Sequence, residues 1–430
     1  MDTFVFWPLL AACVLASSSI STDDATSNGL HAEECRDDCD SNVMLLQRGF
    51  TFGLTEEGRI RAAAEIEGRR DDCEEEPSLI QAFQFLDSTN TSLDPSFIKG
   101  NPPPCGIRFS IRGHNLTWNR TTDFWPDANE QIVQNYANMF SEIVSQHALP
   151  DMDFLVGYMD NVIGAPGVFL SEGNVGRDLL TLPRSFILGK STEAIALSAG
   201  SHRAGTGQAG VANVYNPPQC TGERKNLAVF RGSTTGVTMF PIVWKDGGNN
   251  LPLRDFYGDP VPRYEIALLS KRRPDLLDAG FTSVTRNFDP LEKWEDALRQ
   301  EGLMKNLSTY EEQSCYSVIL VVDGHTLADR LAEQMSWGLP VVLIRNRANP
   351  DTGGPLNEEF WYPDLVSWKN YVLATPDTLE TVLETLLADA DLRRQIGESG
   401  QKLVKQRLSE ERLACYNLKM LSLYGERYHF

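Results

Sequence analysis

The segment from Arg231 to Gly236 combines residue types that can bind a phosphate group. It follows directly on the apolar run Leu227–Phe230, which predicts a buried strand. A glycine beside small hydroxyl residues lets backbone N–H groups approach phosphate oxygens, and an arginine offers a diphosphate a planar fork of donors. An ordinary solvent-facing turn would have the same composition, so both interpretations stay open. The candidate phosphate-binding residues are Arg231, Gly232, Ser233 and Thr234.

A second candidate for chemistry is the carboxylate of Asp160. The short apolar run Phe154–Gly157 predicts a buried strand, and Asp160 follows at its carboxyl end. A carboxylate there either caps a loop or acts as a base at the edge of a sheet, and the structural role is the more common one. Asp160 is therefore a candidate catalytic residue.

The elements that must position these residues are clearest between Ser317 and Ile344. The runs Val318–Val322 and Pro340–Ile344 are continuously apolar, as expected for parallel strands buried on both faces. Between them Gly338 stands where a helix end favours a left-handed residue. A helix before Gly338 is predicted by apolar residues at every fourth position, namely Leu327, Leu331 and Met335.

A strand–helix–strand unit of this kind suggests where a ligand would bind. In parallel α/β sheets, ligands bind beyond the carboxyl ends of the strands, where a following helix presents unpaired N–H groups to an anion. The segment after Val322 occupies this position. Its candidate binding residues are Asp323, Gly324, Thr326 and Arg330.

The composition limits the possible partners. The 430-residue chain has a formal net charge of −20, which argues against nucleic acid because phosphate neutralisation needs a basic surface. Residues 21–76 carry 16 acidic and 6 basic side chains, and so hold about half of that charge. We interpret this segment as an acidic, cysteine-containing lead.

Several features favour the secretory route. The apolar run Phe4–Ala16 is too short to span a membrane and predicts a signal peptide over residues 1–20, with no transmembrane anchor. Seven cysteines follow this signal without the paired spacing of a zinc site, so we expect disulfides, one free thiol and no bound metal. Four glycosylation sequons agree with this compartment, at Asn90, Asn115, Asn119 and Asn306.

The chain is long enough for two domains. The Gly/Ser/Pro-rich stretch 164–220 predicts a loop between them. It contains Gly205–Gly210, which matches the dinucleotide fingerprint by letters, but neither a preceding strand nor the required acidic residue accompanies it. We place one α/β domain at 77–215, a second at 216–405 and a last helix at 406–430.

Several motifs together resemble one known family. The chain is similar to the protein O-glucosyltransferase and capsule-associated-protein family, glycosyltransferase family 90, over roughly residues 148–425. The motifs that carry this resemblance are Phe230–Thr234, Pro274–Thr282, Val322–Gly324 with Arg330, Phe360–Leu365 and Cys415-Tyr416.

The resemblance implies a fold and an activity. The expected fold is α/β and GT-B-like, with two Rossmann-like domains facing across a cleft. The resemblance makes 77–215 the acceptor-side domain and 216–405 the UDP-sugar-binding domain, with the helix at 406–430 packing back on the first domain. The expected reaction is inverting transfer of glucose or xylose from a UDP-sugar to a hydroxyl of a protein or glycan acceptor, without a metal or other cofactor. The expected place is the lumen of the endoplasmic reticulum or Golgi, or outside the cell.

The resemblance also assigns roles to residues. Asp160 matches the catalytic base, Arg231 the arginine that binds the diphosphate, and Asp323–Arg330 the donor-binding turn and helix start. Cys415 matches a cysteine that is bridged to an N-terminal one, which suggests Cys35, Cys39 or Cys73 as its partner. The sequence Asp151-Met152-Asp153 spells the D-x-D of metal-dependent enzymes, but we interpret it as the entry to a strand.

Three departures from the family pattern support an alternative. Val162 replaces a proline after the base, the Gly/Ser-rich stretch replaces a tryptophan-rich segment, and Trp337 replaces a cysteine that would partner Cys315. The alternative is a secreted pseudoenzyme or binding protein that keeps the fold, with or without UDP affinity.

Overall fold

The computed structural model describes residue 83 and residues 106–120, 126–157, 168–170, 217–235, 242–243, 261–285, 288–324, 328, 330–345 and 359–428. These residues form an α/β structure with two main sheets. This architecture agrees with the α/β, GT-B-like class expected from the sequence. The signal peptide, the acidic lead, the Gly205–Gly210 match, Asp160 and Thr326 lie outside the described residues. The domain limits stay a prediction.

The first sheet has four strands in the order β2-β1-β3-β4. Strand β1 pairs antiparallel with both β2 and β3, whereas β3 and β4 are parallel. The hairpin between β1 and β2 turns at Gly113, whose φ of 59° is unstrained only for glycine. The strands are β1 (Gly106–Arg112), β2 (Asn115–Arg120), β3 (Met152–Gly157) and β4 (Val168–Leu170).

Helix α1 (Pro126–Gln146) packs on this sheet through aromatic side chains. The rings of Phe109 and Phe154 stack with centroids 5.2 Å apart, and Phe140 meets Phe154 edge-on at 5.1 Å. All three are fully buried. The sequence has apolar residues at helical spacing between Ile132 and Val144, in agreement with this helix. The buried strand predicted before Asp160 is confirmed.

The second sheet has five parallel strands in the order β11-β10-β9-β5-β7. The predicted strand–helix–strand unit between Ser317 and Ile344 is confirmed, and Gly338 has a φ of 72°. A separate pair comprises β6 (Ile242–Val243) and β8 (Phe288–Asp289). The five strands are β5 (Lys225–Ser233), β7 (Leu277–Ser283), β9 (Tyr316–Val322), β10 (Val341–Ile344) and β11 (Val372–Ala374).

Helices cover both faces of this parallel sheet, because alternate residues of each strand point to opposite faces. Phe230 and Leu320 share one core with Leu269 and Leu383, whereas Val229 and Ile319 face another with Leu331 and Met335. The helices are α2 (Pro262–Arg272), α3 (Leu291–Gln300), α4 (Tyr310–Gln313), α5 (Leu331–Met335), α6 (Leu379–Ala388), α7 (Ala390–Arg407) and α8 (Glu410–Arg427).

Helix α8 contacts the first sheet at its carboxyl end. The Tyr424 hydroxyl donates a hydrogen bond to the Asp153 carbonyl over 3.4 Å, and the Tyr428 hydroxyl donates one to the Asp153 carboxylate over 3.2 Å. A Cβ on Gly425 would lie 2.2 Å from Pro150, so the helix approaches the chain closely there. Helix α8 therefore connects the end of the chain to β3.

The structure gives Cys315 a partner that the sequence did not suggest. Cys315 forms a disulfide with Cys220, which joins the segments before β5 and β9. Trp337, at the position of the missing cysteine, is buried and packs against Tyr310 with ring centroids 5.2 Å apart. Cys415 is also in a disulfide, and its partner lies outside the described residues.

Candidate functional site

The candidate site lies where the parallel strands of the second sheet end. We call this region the strand-end edge and define it as Ser233–Thr235 at the end of β5, Val322–Gly324 at the end of β9 and Arg345 after β10. The strand β5 continues through Ser233, with a register irregularity after Gly232. The predicted glycine turn therefore begins after Ser233 and not at Arg231, because Arg231, Gly232 and Ser233 still pair with β7.

Arg231 is buried and bound to Asp278. Its Nη2 lies 2.7 Å from Asp278 Oδ2, and its Nη1 donates to the carbonyls of Phe230 and Asp278. By strand alternation its side chain lies on the face opposite to Phe230. Its terminal nitrogens are therefore occupied within the sheet, and a contact with a diphosphate stays a prediction.

Asp278 is the centre of a charged cluster on that face. The Tyr316 hydroxyl donates to Asp278 Oδ2 over 2.7 Å, and Lys305 Nζ lies 3.2 Å from Oδ1. Burial alone would raise the pKa of Asp278, but the hydrogen bonds from Arg231 and Tyr316 and the charges of Arg231 and Lys305 lower it to about 2. The carboxylate is thus held in its ionised form.

The first turn after β9 is organised by Asp323. Its Oδ1 accepts a hydrogen bond from the backbone N–H of Ala328 over 3.1 Å, and its Oδ2 lies 3.1 Å from Arg345 Nε. The Arg345 guanidinium also lies 5.3 Å from the centre of the Tyr362 ring. The sequence did not identify Arg345, which follows the buried strand β10 as Asp323 follows β9.

Arg330 reaches from the start of α5 to the end of β5. Its Nη1 donates to the carbonyl of Arg231 over 2.6 Å, and its guanidinium lies 5.9 Å from the centre of the Phe230 ring. The backbone oxygen is a neutral acceptor. The structure thus places Arg330 beside β5, close to the strand-end edge, and a contact with a ligand stays a prediction.

The backbone of the strand-end edge depends on Thr234, Gly232 and Gly324. Thr234 is buried, and its hydroxyl accepts a hydrogen bond from the Thr285 N–H over 3.0 Å, so it serves the link to β7. A Cβ on Gly232 would lie 2.7 Å from the Phe230 ring. A Cβ on Gly324 would lie 3.2 Å from both Arg263 Nη2 and Thr235 Oγ1. Glycine therefore permits the close packing found at both places.

A third arginine at this edge, Arg263, was missed by the sequence analysis. It stands at the start of α2, is 6% exposed, and lies with its guanidinium 5.8 Å from the centre of the Phe230 ring. Burial, and then the nearby charge of Arg330, lowers its pKa to about 9, with the charge of Asp323 acting in the opposite direction. Two guanidinium groups thus approach one aromatic ring and repel each other.

Both aspartates of the D-x-D sequence form hydrogen bonds within the fold. Asp153 forms two hydrogen bonds of 2.8 and 2.9 Å with the Arg112 guanidinium, and Asp151 accepts one from the Gly113 N–H over 2.6 Å. Burial would raise the pKa of Asp153, but its hydrogen bonds from Ser110, Arg112 and Tyr428 lower it. The interpretation as a strand entry agrees with β3, which begins at Met152. Within the described ranges, no cluster of three or more His, Cys, Asp or Glu side chains is arranged to hold a metal ion.

Sequence comparison finds relatives over less than half of the chain. It is 27% identical over 208 residues to an O-glucosyltransferase rumi homolog of Aedes aegypti, covering 47% of this chain and 42% of that protein. It is 30% identical over 168 residues to protein O-glucosyltransferase 3 of Rattus norvegicus, covering 38% of this chain and 30% of that protein. Over these matched ranges, this chain is similar to proteins named O-glucosyltransferases.

Other comparisons show how little of each relative this chain covers. An uncharacterized protein, 035R of Invertebrate iridescent virus 3, is 25% identical over 219 residues, covering 46% of this chain and 17% of that protein. The chain thus spans less than half the length of the curated O-glucosyltransferase relatives and of the viral protein. No family model matches the sequence.

Two solved structures also align with parts of the chain. Sucrose-phosphate synthase of Thermosynechococcus elongatus has a TM-score of 0.26 at 17% identity, covering 36% of this chain and 39% of that one. The C-terminal domain of a glycosyl transferase group 1 family protein of Francisella tularensis has a TM-score of 0.26 at 13% identity. The alignment covers 46% of this chain and 98% of that one. Scores this low do not establish a shared fold.

Proposed function

We propose that the chain is an inverting glycosyltransferase that moves glucose or xylose from a UDP-sugar to a hydroxyl of a protein or glycan acceptor. The observation that carries this proposal is the pair of guanidinium groups, Arg263 and Arg330, at the strand-end edge. Each is hydrogen-bonded only to neutral oxygens among the described residues. A diphosphate would neutralise this positive charge.

The proposed donor site combines main-chain and side-chain groups of the strand-end edge. The backbone from Gly232 to Thr234 and the turn at Asp323-Gly324 would border the diphosphate, with Thr326 and Arg330 completing the site. Arg231 would support the same backbone from the other face of β5. The similarity to proteins named O-glucosyltransferases supports a nucleotide-sugar donor for this site.

The proposed reaction assigns one step to each side of the site. Asp160 would accept the proton of the acceptor hydroxyl as that oxygen forms a bond to the anomeric carbon. The bond from this carbon to the diphosphate oxygen breaks at the same time, and UDP leaves with the electron pair. Arg330 would stabilise the negative charge that develops on the leaving diphosphate. No metal or other cofactor takes part in the proposed reaction.

The proposed setting is the secretory pathway, either in the lumen or outside the cell. It is supported by the predicted signal peptide, by the disulfide between Cys220 and Cys315, and by exposed sequon residues at Asn115, Asn119 and Asn306. No helix in the described ranges is both long and apolar enough to cross a membrane.

A panel of UDP-sugars tests this proposal. Purified protein is mixed with UDP-glucose, UDP-xylose and other UDP-sugars, and both binding and release of UDP are measured. We expect binding of UDP-glucose or UDP-xylose and slow donor hydrolysis. Binding without UDP release, including with candidate acceptors, would instead support the pseudoenzyme alternative, which Val162 favours. Binding of neither UDP nor any UDP-sugar would contradict the proposal.

A further inference from the structure

Strand β2 of the first sheet carries two of the glycosylation sequons. Asn115 is followed by Thr117, and Asn119 is followed by Thr121. No proline stands between either asparagine and its threonine, so both triplets satisfy the acceptor pattern Asn-x-Ser/Thr. Because both asparagines belong to one strand, the structure fixes the face of the sheet on which each lies.

The geometry of a strand places both sequons on the same exposed face. Alternate residues of a strand point to opposite faces of the sheet, so Asn115, Thr117 and Asn119 share one face. All three are exposed, whereas the residues between them are partly buried. Leu116 and Trp118 pack against the apolar core from the other face. A sugar on either asparagine therefore points away from that core.

The position of β2 at the end of the sheet gives this face a further meaning. Among the described residues, β2 pairs only with β1, in a regular antiparallel register without a bulge. Proteins usually protect such an edge from pairing with further strands by charged side chains, proline or a bulge. The exposed face of β2 instead presents two asparagines and a threonine, all uncharged, in a chain of net charge −20.

We propose that Asn115 and Asn119 both carry an N-linked glycan and that the two glycans keep other strands from pairing with β2. The rise of a strand puts the two Cα atoms about 13 Å apart, so the sugars cover most of the length of β2. The inference rests on the secretory setting of the proposed function, where such a modification takes place.

The modification is a transfer from a lipid-linked oligosaccharide diphosphate, which the secreting cell supplies. The side-chain amide nitrogen of the asparagine forms a bond to the anomeric carbon of the oligosaccharide. The bond from this carbon to the diphosphate oxygen breaks, the lipid diphosphate leaves with the electron pair, and the amide gives up one proton. The product is a neutral sugar-bearing amide at each site.

The first test locates the modified asparagines. The full chain is produced in cultured eukaryotic cells, with its own first residues in one arm and behind a heterologous secretory signal in the other. An amidase that removes N-linked glycans in heavy-oxygen water converts each modified asparagine to a labelled aspartate. Peptide mass spectrometry then finds the label, which we expect at Asn115 and at Asn119.

Substitutions separate the sequon from the asparagine itself. Thr117→Val removes the hydroxyl that the pattern requires, so it should abolish the glycan at Asn115 alone, whereas Thr117→Ser should keep it. Asn138→Gln changes an exposed asparagine of α1 that belongs to no sequon, and it should leave both glycans in place.

The second test measures the protection of β2. An endoglycosidase trims the folded wild-type protein to one neutral sugar at each site, and light scattering follows self-association as the protein concentration rises. We expect the trimmed protein and the double variant Asn115→Gln/Asn119→Gln to self-associate at concentrations at which the intact protein and Asn138→Gln do not. Thermal melts verify that the variants are folded, and trimming tests the same point without a substitution.

The outcomes separate this inference from the proposed function. A secreted, folded protein that lacks a glycan at Asn115 or at Asn119 in both arms would overturn the paired modification. Glycans at both sites, with equal self-association of intact and trimmed protein, would overturn their role at β2. Labels found only behind the heterologous signal would support the two sites and contradict the secretory setting. A protein that carries both glycans but binds no UDP-sugar would keep this inference and refute the proposed activity.

Discussion

Arg231 and Arg263 are both buried arginines, but they differ in what balances their charge. Arg231 pairs with Asp278, and this pair belongs to a cluster with Tyr316 and Lys305. Arg263 contacts carbonyl and hydroxyl oxygens and lies beside another cation. A paired arginine stabilises the fold, whereas an arginine without a carboxylate partner favours an anionic ligand.

The role of Arg231 can be separated from that of its ion pair by two variants. Arg231→Gln and Asp278→Asn both break the pair, so we expect similar losses in the free energy of unfolding. We expect only Arg231→Gln to weaken UDP binding, by about tenfold, because it also removes the hydrogen bonds to the Phe230 and Asp278 carbonyls that support β5 just before the donor turn. Chemical denaturation and calorimetry measure the two effects. Unchanged UDP affinity in folded Arg231→Gln would leave Arg231 with a structural role alone.

The lowered pKa of Asp278 predicts an acid-sensitive contribution to stability. The folded-state pKa of about 2 lies below the value of about 3.9 in an unfolded chain, so the contribution is complete above pH 4 and is lost as the pH falls toward 2. The contribution is on the order of 2 kcal/mol. Denaturant titrations of wild type and Asp278→Asn should therefore converge between pH 4 and pH 2. A difference in the free energy of unfolding between the two proteins that stays constant from pH 4 to pH 2 would contradict the lowered pKa of Asp278.

The sequence identified part of this site and missed another part for physical reasons. Arg330 and Asp323 were found because they follow a continuous apolar strand. Arg263 was missed because it follows a segment without a strand signal. One clue was available, since an arginine at a helix N-terminus opposes the helix dipole and needs another reason to be there. Arg231 was found by its motif, but its partner Asp278 lies 47 positions away in sequence.

At the scale of secondary structure, β3 links the first sheet to the end of the chain. Asp153 on β3 binds Arg112 of β1 and Tyr428 beyond α8, so one carboxylate joins three elements. The described part of this strand ends at Gly157, three residues before Asp160. The C-terminal helix therefore holds in place the strand that precedes the proposed base in the sequence.

The hydrogen bonds of the Asp151 and Asp153 carboxylates lead to a prediction about metal ions. We expect UDP release from a donor sugar to survive treatment with EDTA, because these carboxylates serve Gly113 and Arg112. The assay compares untreated enzyme with EDTA-treated enzyme, each with and without added manganese. Complete loss of UDP release on chelation, with rescue by manganese, would instead indicate that Asp151 and Asp153 bind a metal ion.

Helix α7 shows why a helix can be missed from its sequence. Gly397 and Gly400 lower the intrinsic helix propensity, so this segment did not stand out. In the structure both glycines allow close packing, since a Cβ on Gly397 would lie 2.3 Å from the Gly338 oxygen and one on Gly400 would lie 2.5 Å from the Asn370 oxygen. Packing, not propensity, therefore selects these residues.

The same packing predicts the effect of a small substitution. Gly397→Ala should destabilise the protein by about 1 to 3 kcal/mol, because the added methyl group overlaps the backbone at Gly338. Gln395→Ala changes an exposed residue of the same helix and serves as the control. Thermal melts compare the two variants. Equal melting temperatures for Gly397→Ala and wild type would contradict the close approach.

For the whole molecule, the parallel sheet was easier to predict than the mixed one. Strands buried on both faces are continuous apolar runs, and β5, β9 and β10 were all found in this way. The β1–β2 hairpin alternates apolar and polar residues around Gly113, which is a weaker signal that the sequence analysis did not use. The pairing of Cys220 with Cys315 depends on the neighbouring strands β5 and β9, and no local spacing indicates it.

The two halves of the proposed mechanism lie on different parts of the chain. Donor binding is assigned to the strand-end edge of the parallel sheet, and proton transfer is assigned to Asp160 beyond the mixed sheet. A loss of the base should therefore leave donor binding intact. This separation makes the central claim, that the chain transfers a sugar with Asp160 as its base, open to a direct test.

The decisive measurement is the rate of sugar transfer by Asp160→Asn, alongside its affinity for UDP. Asparagine keeps the size of the side chain and removes its basicity, and Asp151→Asn is a control at an exposed carboxylate nearby. The account predicts that Asp160→Asn transfers sugar roughly a hundredfold to ten-thousandfold more slowly, with UDP affinity and melting temperature close to those of the wild type. Transfer by Asp160→Asn at the wild-type rate would contradict it.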